Sequence, residues 1–359
     1  MKDKILKKLR ESGGYVSGQE LSEELGVSRT AVWKAIERLR EQGYPIEAVT
    51  NKGYRLSEGR MADADLLNQS ELEEQLVRTV WAGHPVVYKE TTGSTNSDIM
   101  ELADRGAAEG TLVVSTLQTQ GRGRRGRTWI SPAGDNIYMS ILLRPKMPTE
   151  IVPMVTLIMA LSICEAANEA LGGRNGCRFG IKWPNDLVAC SDTDPAWKKC
   201  VGILTEMRLE ETEIRDVTIG DGLNIRMTEI PEEIRSTATS FCLASGGTVK
   251  RAELVGKIWQ HFEEDYAQFL KAQSFAPLRA AYEALLVNRG RRVRVLDPKE
   301  PFDGTACGIS DRGELAVKTD GTVHTDGAGK ADDAVRTDGG EIRYVSAGEV
   351  SVRGVEGYV

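Results

Sequence analysis

The sequence predicts an α+β multidomain protein: an N-terminal winged helix-turn-helix, a central mixed sheet flanked by helices, and a C-terminal set of short strands. Three observations carry this. The chain has 359 residues, more than one hydrophobic core usually organises. Its net charge is −7, yet residues 1–60 hold twelve Lys and Arg against nine Asp and Glu, a reversal of sign that marks a separate module. Helical spacing then ceases after residue 287, where short β-rich runs follow. The boundaries expected are 1–60, 61–287 and 288–359.

In the first module Ile5, Leu6 and Leu9 recur at helical spacing until Gly13-Gly14. Ser17-Gly-Gln-Glu20 is a capping box that opens a second helix containing Leu21 and Leu25. Gly26 supplies a turn, and Ser28 caps a third helix through about residue 40, with Val32, Ala35, Ile36 and Leu39 on its core face. Helix, glycine turn, helix is the pattern of a DNA-binding motif whose second helix enters the major groove. Ser28, Arg29, Thr30 and Lys34 lie on the face or end that would enter a major groove. Residues 46–50 and 54–56 flank Asn51-Lys52-Gly53, a tight turn that predicts a β-hairpin wing. A small protein-binding helical domain fits the same pattern.

The central region opens with a strand over 85–89, the polar turn Thr92-Gly-Ser-Thr-Asn96, and a helix over 98–103. Small hydroxyl and amide groups at a strand-to-helix junction suit either a helix cap or a polar ligand. Next comes Gly121-Arg122-Gly123-Arg124-Arg125-Gly126-Arg127-Thr128-Trp129, four guanidinium groups punctuated by glycine. Each guanidinium matches a phosphate bidentately and stays charged. Such a run suits a phosphate-handling loop and a nucleic-acid patch equally. Residues 151–171 are apolar, but Pro153, Thr156, Glu165, Asn168 and Glu169 interrupt them, which predicts a buried amphipathic helix in place of a membrane span. Lys182-Trp-Pro-Asn185-Asp186 follows, then strands over 201–206 and 217–225, the second containing Gly220-Asp-Gly-Leu-Asn224.

Composition excludes other chemistries. Six cysteines at 164, 177, 190, 200, 242 and 307 form no C-x-x-C pair, against a zinc or redox motif, and His84, His261 and His324 are scattered. No metal site is expected. No apolar signal core follows the charged N-terminus, which points to the cytoplasm.

Taken in order, Ser94-Thr95-Asn96, Gln118 with the arginine run, K-W-P-N-D, V-G-I-L-x-E and G-x-G-x-N resemble the biotin protein ligases. With the winged helix the resemblance extends to the bifunctional form that also represses biotin operons, and it covers essentially the whole chain. It implies a class II synthetase-like central domain and a C-terminal SH3-like barrel. It further implies that biotin and ATP form biotinyl-5′-AMP, and that biotin then passes to a lysine of a biotin carboxyl carrier protein. By motif position, Ser94, Thr95, Asn96, Gln118, Arg122, Gly123, Arg124 and Lys182 would bind biotin. Arg124, Arg125, Arg127, Trp129, Asn185, Asn224 and Arg353 would bind ATP or the adenylate. Lys182, Arg122 and Arg124 would be catalytic, with Lys182 bridging carboxylate and phosphate. Mg²⁺ is expected to arrive with the triphosphate, held by phosphates and water. An adenylate-bound homodimer on paired operator half-sites is implied as the repressor.

Helices expected over 252–270 and 276–287 close the central region, and strands over 291–296, 305–309, 315–318 and 342–352 would build the barrel. Three Thr-Asp-Gly triplets beginning at Thr319, Thr325 and Thr337 read as a hairpin tip. Departures from the family pattern are Asp221 in a usually aliphatic position, Ser310 in a G-I-D turn, and residues 191–199, which lengthen a hairpin. Two other readings compete: a lipoyl or octanoyl acyltransferase of the same fold, and a biotin-sensing regulator without catalysis. The first lacks a matching cysteine nucleophile motif here; the second needs only binding.

Overall fold

The computed structural model describes residues 1–77, 79–81, 83–132, 136–297, 300–319, 340–347, 351–355 and 357–359. The chain divides into two compact units, Met1–Gln75 with Lys250–Glu253, and Leu76–Val249 with Leu254–Val359.

The first unit begins with helices α1 (Lys2–Ser12), α2 (Gly18–Leu25) and α3 (Arg29–Glu41), a hairpin of β1 (Ile46–Val49) and β2 (Gly53–Leu56), then α4 (Glu58–Asp63) and α5 (Gln69–Leu76). Ser17 and Ser28 cap α2 and α3, accepting from the backbone N–H of Glu20 and Ala31 at 3.0 and 3.2 Å. Gly13 and Gly26 end α1 and α2 in the left-handed region, at φ of 58° and 63°. Ile5, Leu9, Leu21, Val32, Ile36, Leu39 and Leu56 form the core. The hairpin is antiparallel, Ile46 opposite Leu56. Val16 bridges to Tyr54, and a Cβ at Gly53 would overlap the Val16 backbone.

The second unit holds a seven-stranded mixed sheet in the order β3-β4-β5-β9-β8-β7-β6. Its strands are β3 (Val86–Lys89), β4 (Leu112–Ser115), β5 (Ile137–Leu143), β6 (Arg178–Lys182), β7 (Asp186–Cys190), β8 (Lys198–Glu210) and β9 (Glu213–Leu223). Only the β3–β4 pair in this sheet is parallel. Helix α6 (Thr95–Asp104) packs on β4, β5 and β9, and α7 (Pro153–Leu171) on β6, β7 and β8. The remaining helices are α8 (Phe241–Ser245), α9 (Arg251–Ala272) and α10 (Ala276–Leu285).

Two expectations change. Helix α7 is not amphipathic: fourteen of its nineteen residues are buried, because α10 and α9 cover the side away from the sheet. It is long and apolar enough to span a membrane by composition alone, yet it is a core helix here. The run 342–352 is two strands, β13 (Ile342–Val345) and β14 (Ser351–Gly354), beside β10 (Arg292–Leu296), β11 (Phe302–Ile309) and β12 (Leu315–Thr319). They form an antiparallel sheet ordered β13-β12-β11-β10-β14, so the chain leaves one edge at β13 and joins the other at β14. The Thr-Asp-Gly triplets beyond Thr319, His324 and residues 348–350 lie outside the described residues.

Candidate functional site

Two cavities meet in the second unit. The narrower is lined by the turn that starts α6, by the loop after β4, and by the facing strands β8 and β9. The loop is laid down by backbone pairing: Thr92 bridges Gln118, Thr119 N–H donates to the Thr92 carbonyl, and Trp129 N–H donates to the Gly121 carbonyl. Ser94 occupies the N-cap position of α6 without a capping hydrogen bond from its side chain. Thr95 donates to Gln118 Oε1 through its backbone N–H at 2.9 Å and its hydroxyl at 3.2 Å. The Ser140 hydroxyl contacts Thr95 Oγ1 at 2.7 Å and Asn96 Oδ1 at 2.6 Å. Asn96 Nδ2 donates to Glu206 Oε2 at 2.7 Å, and Arg122 Nη2 reaches the same oxygen at 3.0 Å.

The G-x-G pattern has a steric cause. A Cβ on Gly220 would overlap the Asn96 side chain, and one on Gly222 would overlap the Trp129 indole. Gly202, paired to Gly222 across β8 and β9, also lies under Trp129. Two bare backbones thus form a flat bed for an aromatic ring.

The second cavity, of 840 Å³, is lined by six cationic side chains, Arg124, Arg125, Arg127, Lys182, Lys199 and Arg353, and by the carboxylate of Asp186. Such an imbalance suits a polyanion. Arg124 donates to Asn185 Oδ1 at 3.0 Å and to the Ala347 carbonyl at 2.6 Å, which fixes its guanidinium on the wall shared by both cavities. Arg125 carries the loop through a left-handed turn at φ 57°. Asp186 forms an ion pair with Lys199 at 2.5 Å and accepts from the Tyr358 hydroxyl at 2.7 Å. Burial opposes the charge on Asp186, but Lys199 and Lys182 outweigh it and hold its pKa below the usual value. Lys182 is buried, with Nζ 3.5 Å from the centre of the Tyr358 ring, and burial lowers its pKa to about 8 although Asp186 partly offsets this. Lys199 Nζ lies 5.1 Å from the Trp129 ring centre.

Of the residues expected from the sequence, Ser94, Thr95, Asn96, Gln118, Arg122, Gly123 and Arg124 line the narrow cavity. Arg124, Arg125, Arg127, Trp129, Lys182, Asn185, Asn224 and Arg353 line the larger one. Lys182 does not line the narrow cavity, where a biotin contact was expected; Lys199 lines both. Sequence reading missed Lys199 by treating 191–199 as hairpin extension, although Lys199 is the second residue of β8, the strand that carries Gly202. Asp186 and Glu206, quoted in the K-W-P-N-D and V-G-I-L-x-E motifs, were given no role, and Tyr358 was missed. Asn224 spends its amide on the Thr239 carbonyl at 3.1 Å, bracing the cavity wall.

On α3, Arg29, Thr30 and Lys34 are exposed, whereas the Ser28 side chain is engaged as the helix cap, so its expected DNA contact would compete with that hydrogen bond. Trp33, not anticipated, stands 51% exposed beside them. Among the described residues no three His, Cys, Asp or Glu side chains gather as a metal site. Both oxygens of Asp186 are engaged, so the larger cavity offers a metal ion no free carboxylate among them.

Comparison with known proteins agrees with this geometry. Residues 2–55 match an HTH domain model, residues 88–224 the biotin/lipoate A/B protein ligase family, and residues 290–329 the biotin protein ligase C-terminal domain. The chain is 39% identical to the bifunctional ligase/repressor BirA of Bacillus subtilis over 307 residues, 85% of this chain and 90% of that one. It is 30% identical to a biotin–[acetyl-CoA-carboxylase] ligase of Mycobacterium tuberculosis over 268 residues, 73% of this chain and 94% of the other. A biotin protein ligase from Aquifex aeolicus, solved with biotin and ATP, superposes with a TM-score of 0.58 at 27% identity, covering 75% of this chain and 99% of that one.

Proposed function

The chain belongs to the biotin protein ligase family, and from that premise we propose that it forms biotinyl-5′-AMP from biotin and ATP and transfers biotin to a carrier-protein lysine. One observation carries the reading: a narrow pocket lined by Ser94, Thr95, Asn96 and Gln118 opens beside a six-cation cavity, and the two share Lys199, Arg124 and Trp129. The hydroxyl and amide lining of the first suits a neutral polar head group, the charge of the second suits a triphosphate, and the reacting atoms would meet at the shared wall.

In the first step a carboxylate oxygen attacks the α-phosphorus, and the bond to pyrophosphate breaks with its electron pair on the leaving group. The nucleophile is already ionised, so the need is to hold two anions together and in line, not to remove a proton. Lys199 and Arg124 supply charge on the shared wall; Lys182, Arg127, Arg125 and Arg353 supply it around the phosphates. A preorganised cation of this kind is worth about 3 to 4 kcal/mol in the transition state. Lys199, which lines both cavities, stands beside Lys182 and adds charge where carboxylate and phosphate would meet, and Lys182 keeps the bridging role that the resemblance implies. Trp129, bedded on Gly202 and Gly222, offers a ring face for the adenine. Mg²⁺ would enter with the triphosphate and supply charge neutralisation there, carried by phosphate and water. In the second step the neutral amine of the carrier lysine attacks the acyl carbon, AMP leaves, and the arginine loop has until then kept water from the mixed anhydride.

The exposed Arg29, Thr30 and Lys34 of α3 support operator binding, with the adenylate-bound homodimer as the repressing species. ATP-dependent ligation and operator binding both belong in the cytoplasm. Biotin-dependent release of pyrophosphate, followed by transfer of labelled biotin to a carrier-domain lysine, tests the ligase. Turnover of lipoate or octanoate instead of biotin would favour the acyltransferase, and retention of biotin without pyrophosphate release would favour a pure sensor.

A further inference from the structure

Asp186 and Lys182 are tied to a residue outside every recognised motif. The Tyr358 hydroxyl donates to Asp186 Oδ2 at 2.7 Å, the other Asp186 oxygen pairs with Lys199 at 2.5 Å, and the face of the Tyr358 ring lies 3.5 Å from Lys182 Nζ. We propose that Tyr358 is a positioning residue for adenylate formation, setting Asp186, and through it Lys199, with its hydroxyl while seating the Lys182 ammonium on its ring. This rests on the ligase reading above.

The argument is geometric. A carboxylate free to rotate presents either oxygen to Lys199 in several directions; a donor fixed on one oxygen leaves the other with a single aim. Lys199 bridges the two cavities, so its aim determines how well carboxylate and phosphate are aligned. The phenol is suited to the task, because burial first, and then the adjacent Asp186 carboxylate, push its pKa upward and keep it a donor at any working pH. The ring meets a different need. Lys182 is faced by Asp186 but also by the cations Lys199, Arg353 and Arg127, and an aromatic face stabilises its charge without adding a competing anion. Tyr358 follows β14, whose pairing with β10 ends at Gly354 opposite Val293, so the C-terminal sheet delivers a side chain to chemistry on the central one.

The test uses the full chain. Tyr358→Phe keeps the ring and removes the donor. We expect kcat for biotin-dependent pyrophosphate exchange to fall about tenfold with the KM for biotin unchanged, and the alkaline limb of the pH profile to stay where the wild type has it. Tyr358→Leu also takes the aromatic face away from the Lys182 ammonium while keeping an apolar side chain there, so that limb should move down from its wild-type position. Wild-type kcat in Tyr358→Phe, or an alkaline limb unmoved in Tyr358→Leu, overturns the proposal. A wild-type chain that releases no pyrophosphate with biotin overturns the ligase reading instead.

Discussion

The N-terminal unit and the catalytic unit treat polar groups in opposite ways. In the first, the buried positions from Ile5 to Leu56 are apolar; the buried carboxylate Glu71 is matched by the Tyr44 hydroxyl at 2.7 Å and by Arg10. Its polar residues with a use, Arg29, Thr30 and Lys34, stand in solvent. In the second, Lys182, Asn96, Asp221, Asn224, Ser94 and Thr95 are all buried. Burying such groups costs free energy unless each is paired or is kept for a ligand. The difference locates two kinds of function: a surface that reads a large partner, and an interior built around small charged ones.

The most severe break in this contrast should come from inside. Lys199→Ala and Lys182→Ala are each expected to reduce adenylate formation about 10²- to 10³-fold, measured as biotin-dependent pyrophosphate exchange on folded protein; Lys199→Ala should also lower the melting temperature, because it leaves the buried Asp186 carboxylate without its ion-pair partner. Arg29→Ala, at the surface, should weaken operator binding by about 1 to 3 kcal/mol in a titration at fixed salt and leave pyrophosphate exchange unaltered.

Two buried carboxyls sharpen the comparison: Asp221 lines the narrow cavity, and Asp265 lines neither cavity. Both Asp221 oxygens lack a partner, and burial pushes its pKa well up. Asp221→Val should raise stability by about 1 to 3 kcal/mol in denaturant unfolding, since it replaces an unpaired polar group between Met139 and Ile203. Asp265 is held near 7, chiefly by burial and further by Glu165. The folded protein therefore binds a proton that the unfolded chain releases near 4, and stability from this site is present at low pH and lost as pH rises through about 7. Asp265→Asn should raise the melting temperature at pH 8 and change it little at pH 4.

The same contrast explains what could be read in the sequence. The helical module was legible almost to the residue, because Ser17, Ser28, Gly26 and the apolar spacing of α3 are local signals. The pocket residues on the α6 turn and the arginine loop were legible as motifs. Asp186 was legible as the end of K-W-P-N-D, but its partnership with Lys199 and Tyr358 was not, because that arises from three segments meeting in space: the start of β8, the start of β7 and the residues beyond β14. The all-round burial of α7 and the split of residues 342–352 between two sheet edges are likewise tertiary outcomes, set by what packs against the element and not by its own spacing.

The claim that the interior performs the ligation while α3 reads DNA is tested most directly by measuring both activities on two full-length variants, with biotinyl-5′-AMP supplied to each for operator binding. Lys199→Ala should bind operator DNA but release pyrophosphate about 10²- to 10³-fold more slowly with biotin and ATP, and Arg29→Ala should release pyrophosphate at the wild-type rate but bind operator DNA more weakly. Loss of pyrophosphate release in Arg29→Ala, or its wild-type rate in Lys199→Ala, would contradict the account.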